Sequence, residues 1–362
     1  MTSFLRLTSV LIGSCSFALS GCAQLPTQST GTIREFPLAW PGTGTPSTHE
    51  ITYNHTGGNT FWVTGPEHDA IAQLTLDGKA TFYPMPKESG PHGIAFDAAG
   101  HLWVSLEHAG LVVRLDSQGQ IVEKIDVSLH ARGTAAPLNT HPHGLAVGGD
   151  GKTLWFTGKK TNTIGRINPD RSVEHFDLPT VGAVPIYLAL GPDGAMWCTE
   201  LVGNKIARIT PAGEVTEFAI PTFNSRPIAI MAGPDGRSLW FSEEAGHKVA
   251  RITLDGTITE FPVPMTQRNM ILASLTFDRD GRLWTQSYVD PHSPVPAGAD
   301  QLVCFDRAIQ AATTADLAGV AVNYYAVPSR GTTMHRLTQG PDGAIWFTEL
   351  ALDKVGKLIL AR

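Results

Sequence analysis

Seven tryptophans, Trp62, Trp103, Trp155, Trp197, Trp240, Trp284 and Trp346, cut the chain into copies of one unit. Successive gaps are 41, 52, 42, 43, 44 and 62 residues, so four nearly coincide and two carry insertions. The clearest copy runs from Tyr187 to Pro221. It opens on the apolar run Tyr187-Leu188-Ala189-Leu190, passes through Gly191-Pro192-Asp193-Gly194 and continues as Ala195-Met196-Trp197-Cys198-Thr199-Glu200. Pro fixes φ and Gly accepts positive φ, so this turn predicts a hairpin rather than a helix. Lys205-Ile206-Ala207-Arg208-Ile209 then alternates with period two, and Val215-Thr216-Glu217-Phe218 follows a second turn. Four short strands and one large aromatic per repeat of this length describe a propeller blade. The expected fold class is all-β: a seven-bladed β-propeller of four-stranded blades, with strands a to d running from the channel outward. Each tryptophan is expected to fill the wedge between neighbouring blades.

The two ends of the chain predict how the ring closes. The last repeat supplies strands a, b and c and stops at Arg362, while Thr32-Ile33-Arg34-Glu35-Phe36-Pro37 is an unmatched strand d at the start. The N-terminal strand is therefore expected to complete the C-terminal blade, which pairs edges that otherwise stay open.

Residues 32–362 form one propeller domain on this reading. Residues 1–21 read as an export signal, with Arg6 ahead of an apolar stretch from Leu7 to Leu19 that is shorter than a membrane span. Leu19-Ser20-Gly21-Cys22 resembles a bacterial lipobox, which implies lipid attachment at Cys22 and a polar tether over 22–31. The expected location is lipid-anchored in the bacterial cell envelope, facing the periplasm, with plain secretion as the alternative. Cys198 and Cys304 fall in non-adjacent blades and are expected to be buried free thiols. Formal net charge is −6 with no basic run, which argues against a nucleic-acid partner. The expected contacts are a small-molecule or modified-peptide substrate and, through lipid alone, the membrane; the chain is expected to be a monomer.

In a propeller the start of strand a and the end of strand b face the channel mouth. At the first position the blades read His49, His92, His143, Tyr187, Ile228, Met270 or Ile271, and His335. Ring closure puts the His335 blade beside the His49 blade, so four adjacent blades offer imidazoles to one mouth. Just past strand b stand Glu107, Glu200, Glu243 and Glu349. For the last three the expected role is structural, bonding turn N–H groups or pairing with Lys or Arg. Glu107 shares a blade with His92 and precedes His108, so it is the carboxylate expected to hold a divalent metal or assist a base. The insertions Ser128 to Thr140 and Ser287 to Ala299 are expected on this same face, where they can form a lid. The insertion Arg307 to Gly319 is expected on the opposite face as a structural excursion.

The repeat phrases Gly-Pro-Asp-Gly, Trp346-Phe347-Thr348-Glu349, Lys205-Ile206-Ala207-Arg208-Ile209 and Glu-Phe before Pro give the chain a resemblance to the streptogramin B lyase (virginiamycin B lyase) family over nearly all of 32–362. The resemblance implies a Mg²⁺-assisted carbon–oxygen lyase, an antibiotic-resistance activity that opens a cyclic depsipeptide by β-elimination. It implies a Pro-His holding substrate, then Glu-Pro-His-Gly and a later Glu in the next blade, with the His as base and the two Glu on the metal. Pro91-His92-Gly93 and Glu107 match the base and the later Glu, with Gly90 at the earlier Glu and His49 in the substrate-holding role. Pro142-His143-Gly144 matches as well, with His141 at the earlier Glu and Lys159 at the later one. The expected roles are His92 and His143 catalytic, Glu107 and His141 on the metal, and His49, His335 and Lys159 on substrate. The alternatives are a non-catalytic ligand- or protein-binding envelope propeller and a gluconolactonase-like lactone or ester hydrolase.

Overall fold

The computed structural model describes residues 30–55, 57–130, 133–294 and 298–361. Its strands form seven four-stranded antiparallel sheets, the blades of one β-propeller. Blades 1 to 6 are each continuous in sequence. Blade 2, for example, is Pro91–Phe96 (a), Leu102–Leu106 (b), Leu111–Leu115 (c) and Ile121–Asp126 (d). Blade 7 takes Met334–Gln339, Ile345–Glu349 and Lys354–Leu360 from the C-terminus and strand d from Gly31–Pro37. These last two strands run antiparallel, from Gly31 opposite Leu360 to Pro37 opposite Lys354. The expected signal, Cys22 with its expected lipid, and most of the expected tether lie outside the described residues.

The tryptophans occupy the expected wedges. Trp62 packs among Ile94, Leu102 and Val104 of blade 2, and Trp103 among Leu154, Phe156 and Ile167 of blade 3. Trp346 closes the circle by packing with Phe61 and Val63 of blade 1. Burial leaves an indole N–H that needs an acceptor, and the aspartate of the a–b turn supplies it. Trp103 Nε1 donates to Asp97 at 3.0 Å, Trp197 to Asp193 at 3.1 Å and Trp284 to Asp278 at 2.8 Å.

The borrowed strand is equivalent to a native one. Phe36 stacks on Trp346 at 5.7 Å, as Phe218 does on Trp197 at 5.6 Å and Phe261 on Trp240 at 5.4 Å. Glu35 accepts from Lys354 Nζ at 2.9 Å and from Ser329 N and Oγ at 2.8 and 2.7 Å. The same clasp joins Glu217 to Lys205 and Thr180, and Glu260 to Lys248 and Thr222.

Two further expectations concern the cysteines and the connection between strands c and d of blade 6. Cys198 and Cys304 are buried and free. The insertion after strand c of blade 6 forms two 3-10 turns, Arg307–Ala311 and Thr314–Gly319. It staples blade 6 to blade 5: Arg251 donates to Ala312 O at 3.2 Å and Thr314 to Glu260 O at 3.0 Å.

Candidate active site at the channel mouth

Each strand a carries one extra residue. In blade 2 Pro91 pairs with Leu106 and Ile94 with Val104, so His92 and Gly93 together face Ser105. The same shift sets His143 and Gly144 opposite Thr157, Ile186 and Tyr187 opposite Thr199, and His335 and Arg336 opposite Thr348. In blade 1 His49 N donates to Thr64 O and Thr64 N to Glu50 O, which brackets the equivalent pair. A bulge of this kind bends the strand and re-aims its side chains.

The bulge removes an N–H from the ladder, and a hydroxyl on strand b takes it up. Ser105 Oγ accepts from Gly93 N at 2.7 Å and donates to the His143 carbonyl of the next blade at 3.1 Å. Thr157 links Gly144 N to Ile186 O in the same way, and Thr348 links Arg336 N to His49 O. One side chain thus satisfies the bulge and pins the neighbouring blade's mouth residue.

This register corrects two expectations. The first bulge position reads His49, His92, His143, Ile186, Ile228, Ala273 and His335. Tyr187 therefore stands one residue out of phase with the histidines, and Ala273, not Met270 or Ile271, is the blade 6 counterpart. Glu107 is likewise one residue beyond the position shared by Glu200, Glu243 and Glu349; its blade 2 counterpart is Leu106. In blade 3 that shared position is Gly158, so Glu107 and Lys159 are equivalent residues of adjacent blades.

The four rim histidines converge. Ring centroids are 3.6 Å apart from His335 to His49, 4.1 Å from His49 to His92 and 3.6 Å from His92 to His143. Burial, then the adjacent His335 charge, drives the His49 pKa down to about 3. Burial, then the neighbouring His143, holds His92 well below the usual imidazole value; burial, then Lys159, does the same to His143. His49, His92 and His143 are therefore neutral at neutral pH, so each keeps a lone pair for a proton or a ligand.

A polar cluster faces this file. Glu107 Oε1 lies 3.1 Å from Lys159 Nζ and 3.8 Å from His141 Nδ1, and Oε2 lies 4.0 Å from His92 Nε2. Blade 3 lacks a carboxylate here and receives one from blade 2.

On the far side of His49 is a hub that the sequence reading missed. Glu50 Oε2 accepts from Arg336 Nε at 2.7 Å, and Oε1 accepts from the Tyr187 hydroxyl. Tyr187 Oη is also 2.7 Å from His335 Nε2, and the Arg336 guanidinium lies 3.9 Å over its ring. Burial opposes the charge on Glu50, yet Arg336 and the bonds from His335 and His49 hold its carboxyl well below the usual range. Burial and then Glu50 push the Tyr187 phenol up, so it stays protonated.

Glu200, Glu243 and Glu349 depart from the pairing expected of them. Their carboxyl oxygens are buried without a hydrogen-bond partner, because Lys205, Lys248 and Lys354 go to Glu217, Glu260 and Glu35 of the outer strands.

Among the described residues two overlapping donor groups lie within metal-binding reach, with ligand atoms no more than 4.8 Å apart: His49, Glu50 and His92, and His92, Glu107 and His143. Each offers two imidazoles and one carboxylate.

The profile of the Virginiamycin B lyase family matches residues 124–291, and that of the SMP-30/Gluconolactonase/LRE-like region matches residues 67–138. A virginiamycin B lyase of Nocardia farcinica is 31% identical over 183 residues, 51% of this chain; the match spans 58% of that relative's length. The crystal structure of virginiamycin B lyase from Staphylococcus aureus superposes with a TM-score of 0.74 at 30% identity, covering 92% of this chain and 100% of the other. A catalytically inactive histidine-to-alanine variant of that enzyme, crystallised with quinupristin, matches at 29% identity, a TM-score of 0.74 and the same coverage. Agreement with the Staphylococcus aureus enzyme along that enzyme's whole length, at 30% identity and in fold, shows that the chain belongs to the virginiamycin B lyase family.

Proposed function

We propose that this protein is a carbon–oxygen lyase that opens an ester-linked cyclic peptide, or a related small molecule, by β-elimination at the channel mouth. The observation that supports this most is the setting of His92. Its Nδ1 is 3.2 Å from the His143 carbonyl, an acceptor, so Nδ1 carries the hydrogen and Nε2 is left as a lone pair. That lone pair faces the mouth cluster of Glu107 and Lys159.

In the reaction, His92 Nε2 takes the proton α to a carbonyl. The C–H electrons form a C=C bond, the β-carbon–oxygen bond breaks, and the ester leaves as a carboxylate. No water is consumed. The imidazolium formed at His92 is stabilised by Glu107 and returns its proton to solvent or product. His143 orients the base through its carbonyl, while His49, His335 and the exposed part of Lys159 contact substrate.

Mg²⁺, which the family resemblance implies, suits these donors poorly. It prefers an octahedron of oxygens. Each group here offers a single carboxylate, one already engaged by Arg336 and Tyr187 and the other by Lys159. No step in this mechanism passes through the ion. The proposal includes an exported protein held at the envelope by lipid on Cys22.

The test is incubation with quinupristin or virginiamycin B, followed by mass and ultraviolet spectra of the product. Ring opening at unchanged mass with a new conjugated double bond supports the lyase. Addition of the mass of water makes it a hydrolase, and saturable binding without turnover makes it a binding propeller.

A further inference from the structure

We infer that Lys159 is a built-in cation that replaces the divalent metal at this site, so that the protein works as a metal-independent lyase. The inference rests on the lyase reading above. Lys159 and Glu107 occupy the same register position in adjacent blades, one residue beyond the pairing partners of Pro142 and Pro91. The family resemblance asks for a metal-binding carboxylate there. Blade 3 carries an ammonium in its place, and that ammonium sits on the blade 2 carboxylate at 3.1 Å.

Charge decides between the two cations. In the group His92, Glu107 and His143 the only carboxylate is Glu107, and an imidazole binds a metal as a neutral ligand. With Lys159 bound the group has no net charge left to hold a dication, and a metal between the same ligands stands beside a positive ammonium. Lys159 itself needs no dehydrated octahedron. One of its three N–H bonds goes to Glu107, and its side chain is 37% exposed toward the mouth. The free N–H bonds are placed to meet an oxygen on which negative charge grows, either the carbonyl next to the deprotonated carbon or the departing carboxylate. Glu107 then ties base to cation: Oε2 faces His92 and Oε1 faces Lys159. Atoms balance without a metal, because the elimination only moves a proton to His92 and an electron pair onto the leaving carboxylate.

The experiment compares the full-length protein with Lys159→Glu, Lys159→Gln and Lys159→Arg, all checked by circular dichroism and melting temperature. Mn²⁺ is the probe, read by electron paramagnetic resonance without substrate. The wild type is expected to take up no stoichiometric Mn²⁺, and Lys159→Glu, which installs a second carboxylate beside Glu107, is expected to gain it. In turnover assays the wild type is expected to ignore EDTA. Lys159→Gln is expected to lower kcat about 10²–10³-fold, the usual loss for one transition-state donor, with Lys159→Arg recovering part. Stoichiometric Mn²⁺ in the wild type, EDTA inhibition reversed by Mg²⁺, or unchanged kcat in Lys159→Gln each overturns the inference. If no ester is turned over, the lyase reading fails by itself, and the Mn²⁺ comparison still decides whether Lys159 excludes a metal.

Discussion

His92 Nδ1 lies 3.2 Å from the backbone carbonyl of His143, one blade further round the ring. The same carbonyl accepts the Ser105 hydroxyl at 3.1 Å, and Ser105 also holds the Gly93 amide at 2.7 Å. The tautomer of the proposed base is therefore set by a backbone group of the neighbouring blade, through the hydroxyl that stabilises the bulge. A Cβ on Gly93 would lie 2.3 Å from that carbonyl, so only glycine permits the approach.

Replacing His92 by glutamine keeps a polar side chain but removes the basic lone pair. Lyase kcat is expected to fall about 10²–10⁴-fold, the usual contribution of a positioned general base. Steady-state kinetics with a melting curve checks this: a loss of activity at unchanged melting temperature supports the role, and undiminished kcat removes it.

Glu50 carries a different load. Its side chain is 6% exposed and accepts from Arg336 and Tyr187. Glu50→Ala leaves the Arg336 guanidinium, 24% exposed and still bonded to Ser274, without its carboxylate, and is expected to cost about 3 kcal/mol in denaturant unfolding. The double variant Glu50→Gln with Arg336→Met removes both charges and is expected to recover much of that loss. Equal destabilisation by the double variant and Glu50→Ala would show that the pair is not what matters.

The fold was legible because its signals are repeated: Trp spacing, Pro-Asp-Gly turns and the orphan strand at Thr32–Pro37 all say the same thing. The histidine convergence followed from ring closure. Phase was harder, because the bulge adds one residue to each strand a, and counting from the strand start puts Tyr187 where Ile186 belongs. A usable signal was present. Thr64, Ser105, Thr157, Thr199, Ser242 and Thr348 each stand two residues after a repeat tryptophan, and only Gln286 breaks the series. That hydroxyl marks the bulge. Glu50, Tyr187 and Arg336 were illegible as a hub, since it joins three blades through one-off side chains in positions that elsewhere hold Gly, Ala or Ser.

Stability should depend on pH through the second set of glutamates. Burial, then Glu217, Glu260 and Glu35 respectively, push Glu200, Glu243 and Glu349 up from 4.5 to about 8. A raised folded pKa means that the native state holds the proton more tightly. The contribution is full below pH 4.5 and is lost as pH rises through about 8. His49 runs the other way: its fall from 6.5 to about 3 gives stability that is present above pH 6.5 and lost as pH drops. The melting temperature is expected to decline between about pH 6.5 and about 8, where His49 no longer opposes the carboxyls, and to level off above. Glu243→Gln should flatten part of that decline, and a slope over this window identical to wild type would contradict the buried neutral carboxyl.

The ring's closure makes the sharpest structural prediction. Glu35 belongs to the first strand, yet its clasp with Lys354 and Ser329 repeats that of Glu260 with Lys248 and Thr222. If the borrowed strand is a full structural equal, Glu35→Ala and Glu260→Ala should lower the melting temperature by similar amounts. Deleting residues 32–37 does more, because it bares the edge of Lys354–Leu360 and the face of Trp346 that Phe36 covers. The truncated chain is expected to aggregate or to melt well below the wild type in scanning calorimetry. Adding a peptide spanning residues 31–38 in trans should restore part of the lost stability by pairing with that edge. A truncated protein that melts like the full chain would mean that the propeller is held shut without its N-terminal strand.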